Sequence, residues 1–131
     1  MQVKDVMSAQ IVTVSPMDTA QSAARLMLET EVGALPVEMP GVGAIVGIIT
    51  DRDIVVSVLA RGRSSSTAIA EFMTVSPEVC NASDDTVAVA ARMRDLAVRR
   101  LVVVDDDRQV VGIVSLVDIP TEKPPLMEEQ S

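Results

Sequence analysis

The 131-residue sequence contains no histidine, tryptophan or tyrosine, one cysteine (Cys80) and one phenylalanine (Phe72). Without an imidazole, a Ser/His/Asp triad and His-based acid/base catalysis are excluded. A lone cysteine excludes an intramolecular disulfide and a Cys-rich zinc site. With so few rings, a planar ligand must lie against aliphatic side chains, without the ~1 to 3 kcal/mol of a base stacked on an aromatic face. Cations are also scarce, 11 Lys+Arg against 19 Asp+Glu, for a net charge of -8. Nucleic acid is therefore not expected as a partner, because a phosphate backbone is gripped by clustered Lys and Arg. The longest apolar run, residues 42–49, is far short of the ~20 that span a bilayer. The opening MQVKDVMS lacks the apolar stretch of a signal peptide. A cytoplasmic protein with no membrane partner is expected.

What is present is aliphatic. Hydrophobic residues make up 48% of the chain, almost all Val, Ile, Leu, Met and Ala. A chain of this length buries roughly two-thirds of its unfolded surface, enough for one compact domain or two small units sharing a core.

The chain is written twice. VGIITDRDI at 46–54 returns as VGIVSLVDI at 111–119, with five of nine positions identical and the Thr50/Ser115 exchange conserving a hydroxyl. Upstream, Met7-Ser8 matches Met73-Thr74, Ala23-Ala24-Arg25 matches Ala90-Ala91-Arg92, and Leu35-Pro36-Val37 matches Leu101-Val102-Val103, at offsets of 65 to 67. In the first copy Asp18 is a plausible N-cap, and Ala20, Ala23, Ala24, Met27 and Leu28 form a helical stripe. A strand is expected near 35–38, a turn at 39–43 around Pro40 and two glycines, and a buried strand at 44–50. A helix over 51–61 would turn Ile54, Val55, Val58 and Leu59 to the core and stop at Gly62. The second copy predicts a helix over 85–97, strands at 101–104 and 110–114, a turn at 105–108, and a last helix cut short by Pro120. Residues 62–66 (GRSSS) read as a link, with Thr67 capping a short helix towards Met73. The expected organisation is repeat 1 over 1–64, repeat 2 over 65–121 and a loosely ordered tail over 122–131. Neither unit can bury both faces of its sheet alone. Packed face to face the two can, about a pseudo-two-fold axis with related clefts between them.

Helix, strand, strand, helix, duplicated, with LPV in the first copy and G-aliphatic-aliphatic-[ST]-x-x-D closing the second strand, resembles the tandem CBS (cystathionine-beta-synthase) domain pair, or Bateman module, over about residues 1–120. The resemblance implies an α/β (α+β) fold: two small mixed sheets, each carrying two helices. It implies a regulatory module binding AMP, ADP, ATP, S-adenosylmethionine or NAD in the clefts, with the motif Asp on the ribose hydroxyls. It further implies a homodimer and, in a chain with no fused effector, an output to a separate effector protein. Carried onto this chain, the first cleft joins Ile48, Thr50 and Asp53 to Val79, Cys80, Arg99, Arg100 and Leu101, the arginine pair reaching phosphate. The second joins Ile113, Ser115 and Asp118 to Ile11, Val12, Thr13, Val32, Gly33 and Ala34, with no matching basic pair. Arg99 stands where relatives often carry His, and Cys80 where the first repeat has Thr13. No cofactor beyond a regulatory adenine nucleotide, no metal and no catalytic residue are implied.

A carboxylate can accept from both vicinal hydroxyls of a ribose, and hydrogen bonds to a charged group are worth roughly 1.5 to 3 kcal/mol each. The same T-x-x-D pattern is also close to a capping box, in which hydroxyl and acid serve the helix itself. The residues leave both readings open, and a thr can cap and bind together. The opposing arginine pair makes Asp53 the expected stronger anchor and Asp118 the weaker. Asp105-Asp106-Asp107 reads as a solvated hairpin turn rather than a metal loop, and Cys80 as a small hydrophobe rather than a reactive thiol. The competing function is a structural interaction protein with degenerate clefts, its apolar helix faces pairing with a second copy.

Overall fold

A computed structural model describes residues 1–9, 12–75 and 77–120. Ile11 and the tail segment 122–131 fall outside these residues. Two sheets carry the fold. Strands β2 (Ala34–Glu38), β3 (Ile45–Thr50) and β4 (Thr74–Val75) form one, in the order β2-β3-β4. Strands β1 (Ser8–Ala9), β5 (Val79–Asn81), β6 (Arg100–Val104) and β7 (Val110–Ser115) form the other, in the order β1-β7-β6-β5.

Each repeat thus lends its opening segment to its sister. β1 pairs with β7, Ser8 opposite Ile113, and β4 pairs with β3, Thr74 opposite Ile48. Two short 3-10 turns precede these strands, Val3–Asp5 and Ile69–Glu71. Val3 is buried in the core under the second sheet beside Cys80 and Met93, and Ile69 in the core under the first beside Met27 and Ile49. Two glycines make the crossings possible. A Cβ on Gly47 would stand 2.7 Å from Met73 Sδ and 3.0 Å from the Thr74 carbonyl oxygen. One on Gly112 would stand 2.6 Å from the Ser8 carbonyl oxygen and 2.8 Å from Met7 Sδ.

Helix α1 (Ala20–Thr30) is capped by Thr19, whose hydroxyl accepts from the Ser22 N–H. Asp18, the expected cap, instead accepts from the Ser15 N–H one turn earlier. Ala20, Ala23 and Met27 are buried, but Ala24 is exposed and Leu28 is 80% exposed, so the stripe is narrower than its spacing suggests. Helix α2 opens as Asp51–Asp53 and continues as a π-helix, Ile54–Leu59, with the Ala60 N–H donating to the Val55 carbonyl. The i→i+5 winding buries Ile54 and Val58 and leaves Val55 and Leu59 at the surface, against the expected four-residue core face. Helix α3 (Thr86–Leu96) has Asp85 as its N-cap, accepting from Val87 and Ala88 N–H groups. Thr67 caps nothing: its hydroxyl donates to the Ser64 carbonyl, and the turn after it has no side-chain cap.

Candidate functional site

The duplicated motif folds differently in its two copies. After β3, Thr50 and Asp53 close a complete capping box. The Thr50 hydroxyl accepts from the Asp53 N–H at 3.1 Å, and Asp53 Oδ2 accepts from the Thr50 N–H at 2.9 Å. After β7, the chain makes only a 3-10 turn, Leu116–Asp118, and the Ser115 side chain makes no cap bond. The cause is local. Proline disfavours helical dihedrals in the residue before it, and Ile119, before Pro120, is extended at φ -89, ψ 121. Cut off within one turn, Asp118 is not drawn back onto the Ser115 backbone. Its carboxylate is exposed and has no hydrogen-bond or ion-pair partner among the described residues.

Ser115 and Asp118 open onto a cleft of about 250 Å³ between the two repeats. Of the second-cleft residues expected from sequence, Val32, Gly33, Ala34, Ile113, Ser115 and Asp118 line it together. Val12 packs at the edge of the first core, and Thr13 is half-buried beside it; neither belongs to the cleft lining. Three lining residues escaped sequence reasoning: Ser8, Glu31 and Val117. Ser8 carried a signal, since Met7-Ser8 repeats as Met73-Thr74. Glu31 carried none, because its counterpart at the end of α3 is Ala97. Both residues end their helices in the left-handed region, at φ 56 and φ 57.

The first cleft is smaller, about 150 Å³, and gathers Ile48, Arg100 and Leu101 with Thr74, Pro77, Glu78, Val98 and Val102. Thr50 and Asp53 do not line it, being folded into their own cap. Val79 and Cys80 line a separate recess beside the 105–108 turn. Parallel pairing of β5 with β6 sets Cys80 opposite Val103 and turns it into the core, 3% exposed. Burial pushes its thiol from 9.0 up to about 11, nearby Asp84 adding to the rise and Arg92 opposing it. The expected basic pair divides. Arg100 lines both clefts, whereas Arg99 lines neither and contributes its carbonyl, which accepts from the Leu116 N–H at 2.8 Å. Glu78 is held by an ion pair to Arg92 at 3.1 Å.

In the 105–108 turn, Asp105 Oδ1 accepts from the N–H groups of Asp107 and Gln109, and Asp106 accepts from the Asn81 amide, the bonding of a hairpin turn. No group of three or more metal-ligating side chains occurs among the described residues. No helix there is long and apolar enough to cross a membrane.

Comparison with known proteins matches residues 3–60 and 69–120 to the CBS domain family model. The CBS domain-containing protein YhcV of Bacillus subtilis (strain 168) is 40% identical over 117 residues, covering 89% of this chain and 81% of YhcV. Other curated relatives are longer, this chain spanning 64% of one and 51% of another. Among solved structures, the CBS domain pair of protein MJ0100 in complex with 5'-methylthioadenosine and S-adenosyl-L-methionine is similar at a TM-score of 0.80 and 30% identity, covering 100% of this chain and 98% of that one. CBSX2 in complex with AMP is similar at a TM-score of 0.73 and 25% identity, covering 90% of this chain and 92% of that one.

Proposed function

Since the chain belongs to the CBS domain family, as a tandem pair of two matched repeats, we propose that it is a regulatory module binding an adenosine-containing ligand between its repeats. The observation that carries this reading is the free Asp118 carboxylate beside Ser115 on the 250 Å³ cleft. Ribose hydroxyls are donors suited to an unpartnered acid, and the aliphatic walls offered by Val32, Ala34 and Ile113 suit a purine face in a site without aromatic rings. Solved CBS pairs of the same fold hold AMP, 5'-methylthioadenosine and S-adenosylmethionine. The order of the two clefts is the reverse of the one the motif suggests. The second is favoured, because Asp53 Oδ2 already accepts from the Thr50 N–H and neither Thr50 nor Asp53 lines the first cleft. The role is ligand sensing rather than catalysis, with the occupied state read by a partner protein.

Isothermal titration and thermal shift with AMP, ADP, ATP, S-adenosylmethionine and NAD test the reading. A ligand that binds only the folded chain raises the melting midpoint by mass action. Absence of binding up to ~1 mM, about -4 kcal/mol, would sink it.

Self-association is a second proposal, favoured by one observation. Leu28 on α1 is 80% exposed, and Leu59 and Val55 on the neighbouring α2 are 62% and 54% exposed. A second copy seated on these helices would form a homodimer and cover them.

A further inference from the structure

The second cleft carries three charged side chains, Glu31, Arg100 and Asp118, none of which has an ion-pair or side-chain hydrogen-bond partner among the described residues. Two carboxylates therefore face one guanidinium. Glu31 is also the C-cap of α1, whose last turn contains no basic residue. The partial negative charge of that helix end adds to its own. Its backbone sits in the left-handed region that favours glycine, with its N–H donating to the Met27 carbonyl, so the acid is held at the rim of the cleft by the helix ending itself. The equivalent position of the other repeat is Ala97, which makes this acid a property of one cleft only.

Resting on the adenosyl reading above, we propose that this cleft selects adenosine derivatives without phosphate, neutral or bearing a cationic centre, over AMP, ADP and ATP. With Asp118 turned to the ribose, the group beyond the 5' carbon meets Glu31 and Arg100. A phosphate dianion there gains Arg100 but meets Glu31, a helix C-terminus and a chain of net charge -8. A sulfonium or ammonium centre pairs with Glu31, and a zwitterionic tail satisfies both Glu31 and Arg100. An uncharged tail avoids the repulsion.

Titration of the full chain with adenosine, AMP and S-adenosylmethionine tests this. Adenosine and S-adenosylmethionine are expected to bind more tightly than AMP. Glu31→Gln is expected to strengthen AMP and weaken S-adenosylmethionine, each roughly threefold to tenfold, as for a single partly screened charge. On the unsubstituted chain, raising salt should move the two affinities in the same opposite directions. AMP binding as tightly as adenosine, or a Glu31→Gln change of the same sign for both charged ligands, would overturn the inference and leave the adenosyl reading standing. Failure of all three ligands to bind would overturn the inference, and failure of ADP, ATP and NAD as well would overturn the adenosyl reading.

Discussion

Asp53 and Asp118 occupy the same place in a repeated motif and do different jobs. Asp53 satisfies the Thr50 N–H at the start of α2, so Asp53→Ala should cost about 1 kcal/mol of stability and change ligand affinity little. Asp118 has no structural bond to lose. Asp118→Ala should leave the melting midpoint within a degree or two and weaken an adenosyl ligand about tenfold or more, the loss of a charge-assisted bond. Calorimetric melting and titration on the two variants separate these effects, and equal affinity losses would contradict the assignment. Cys80 yields a pH prediction. Its thiol is raised in the folded chain to about 11 from 9.0, so the neutral form is favoured by folding. The associated stability is complete below pH 9 and is lost as pH rises towards 11. Denaturant melts at pH 8, 9.5 and 10.5 should show the decline, and a Cys80→Ala variant should show less of it. At pH 8 the thiol should resist iodoacetamide until the chain is unfolded, since the thiolate is the nucleophile.

The difference between the two motif copies is produced by Pro120 rather than by the acids themselves. Because Ile119 is held extended, the turn after β7 ends at Asp118, and a reciprocal cap with Ser115 does not form. Pro120→Ala removes that restraint. The segment is then expected to continue as a helix, with Ser115 and Asp118 closing the box that Thr50 and Asp53 already make. The new cap should contribute roughly 0.5 to 1 kcal/mol, offset in part by the freer unfolded chain that loss of the proline leaves, while ligand affinity falls. Thermal melts and titration on the one variant read both quantities, and a gain in affinity would refute the mechanism. The π winding of α2 is the matching feature in the other repeat. It leaves Val55 and Leu59 outward on a helix that packs on α1.

The two repeats are interlocked by exchange of their opening segments, Val3 serving the second core and Ile69 the first. A ligand bound between the repeats, as proposed, would bear on both sheets, and that is the physical route by which occupancy would alter the outer helices. Those helices pack on each other and expose Leu28, Val55 and Leu59. Leu28→Lys with Leu59→Lys should convert a dimer to a monomer in sedimentation velocity without lowering the melting midpoint of the monomer unit, since neither side chain is in a core. A monomeric unsubstituted chain, or a dimer indifferent to both lysines, would exclude this face.

The repeat, the order of helices and strands, and the hydroxyl–acid pairs Thr50/Asp53 and Ser115/Asp118 were legible in the chain, because periodicity, caps and turns depend on residues a few positions apart. Even the shortened last helix followed from Pro120. The folded arrangement alone decided that Arg99 and Arg100 part company, that Cys80 and Val79 leave the first cleft, and that Glu31 enters the second. Each of these depends on how segments distant in the chain cross one another, β1 over Gly112 and β4 over Gly47. A local pattern carries no record of which surface such a crossing brings opposite it, so the chemistry of the cleft had to be read from the packed molecule.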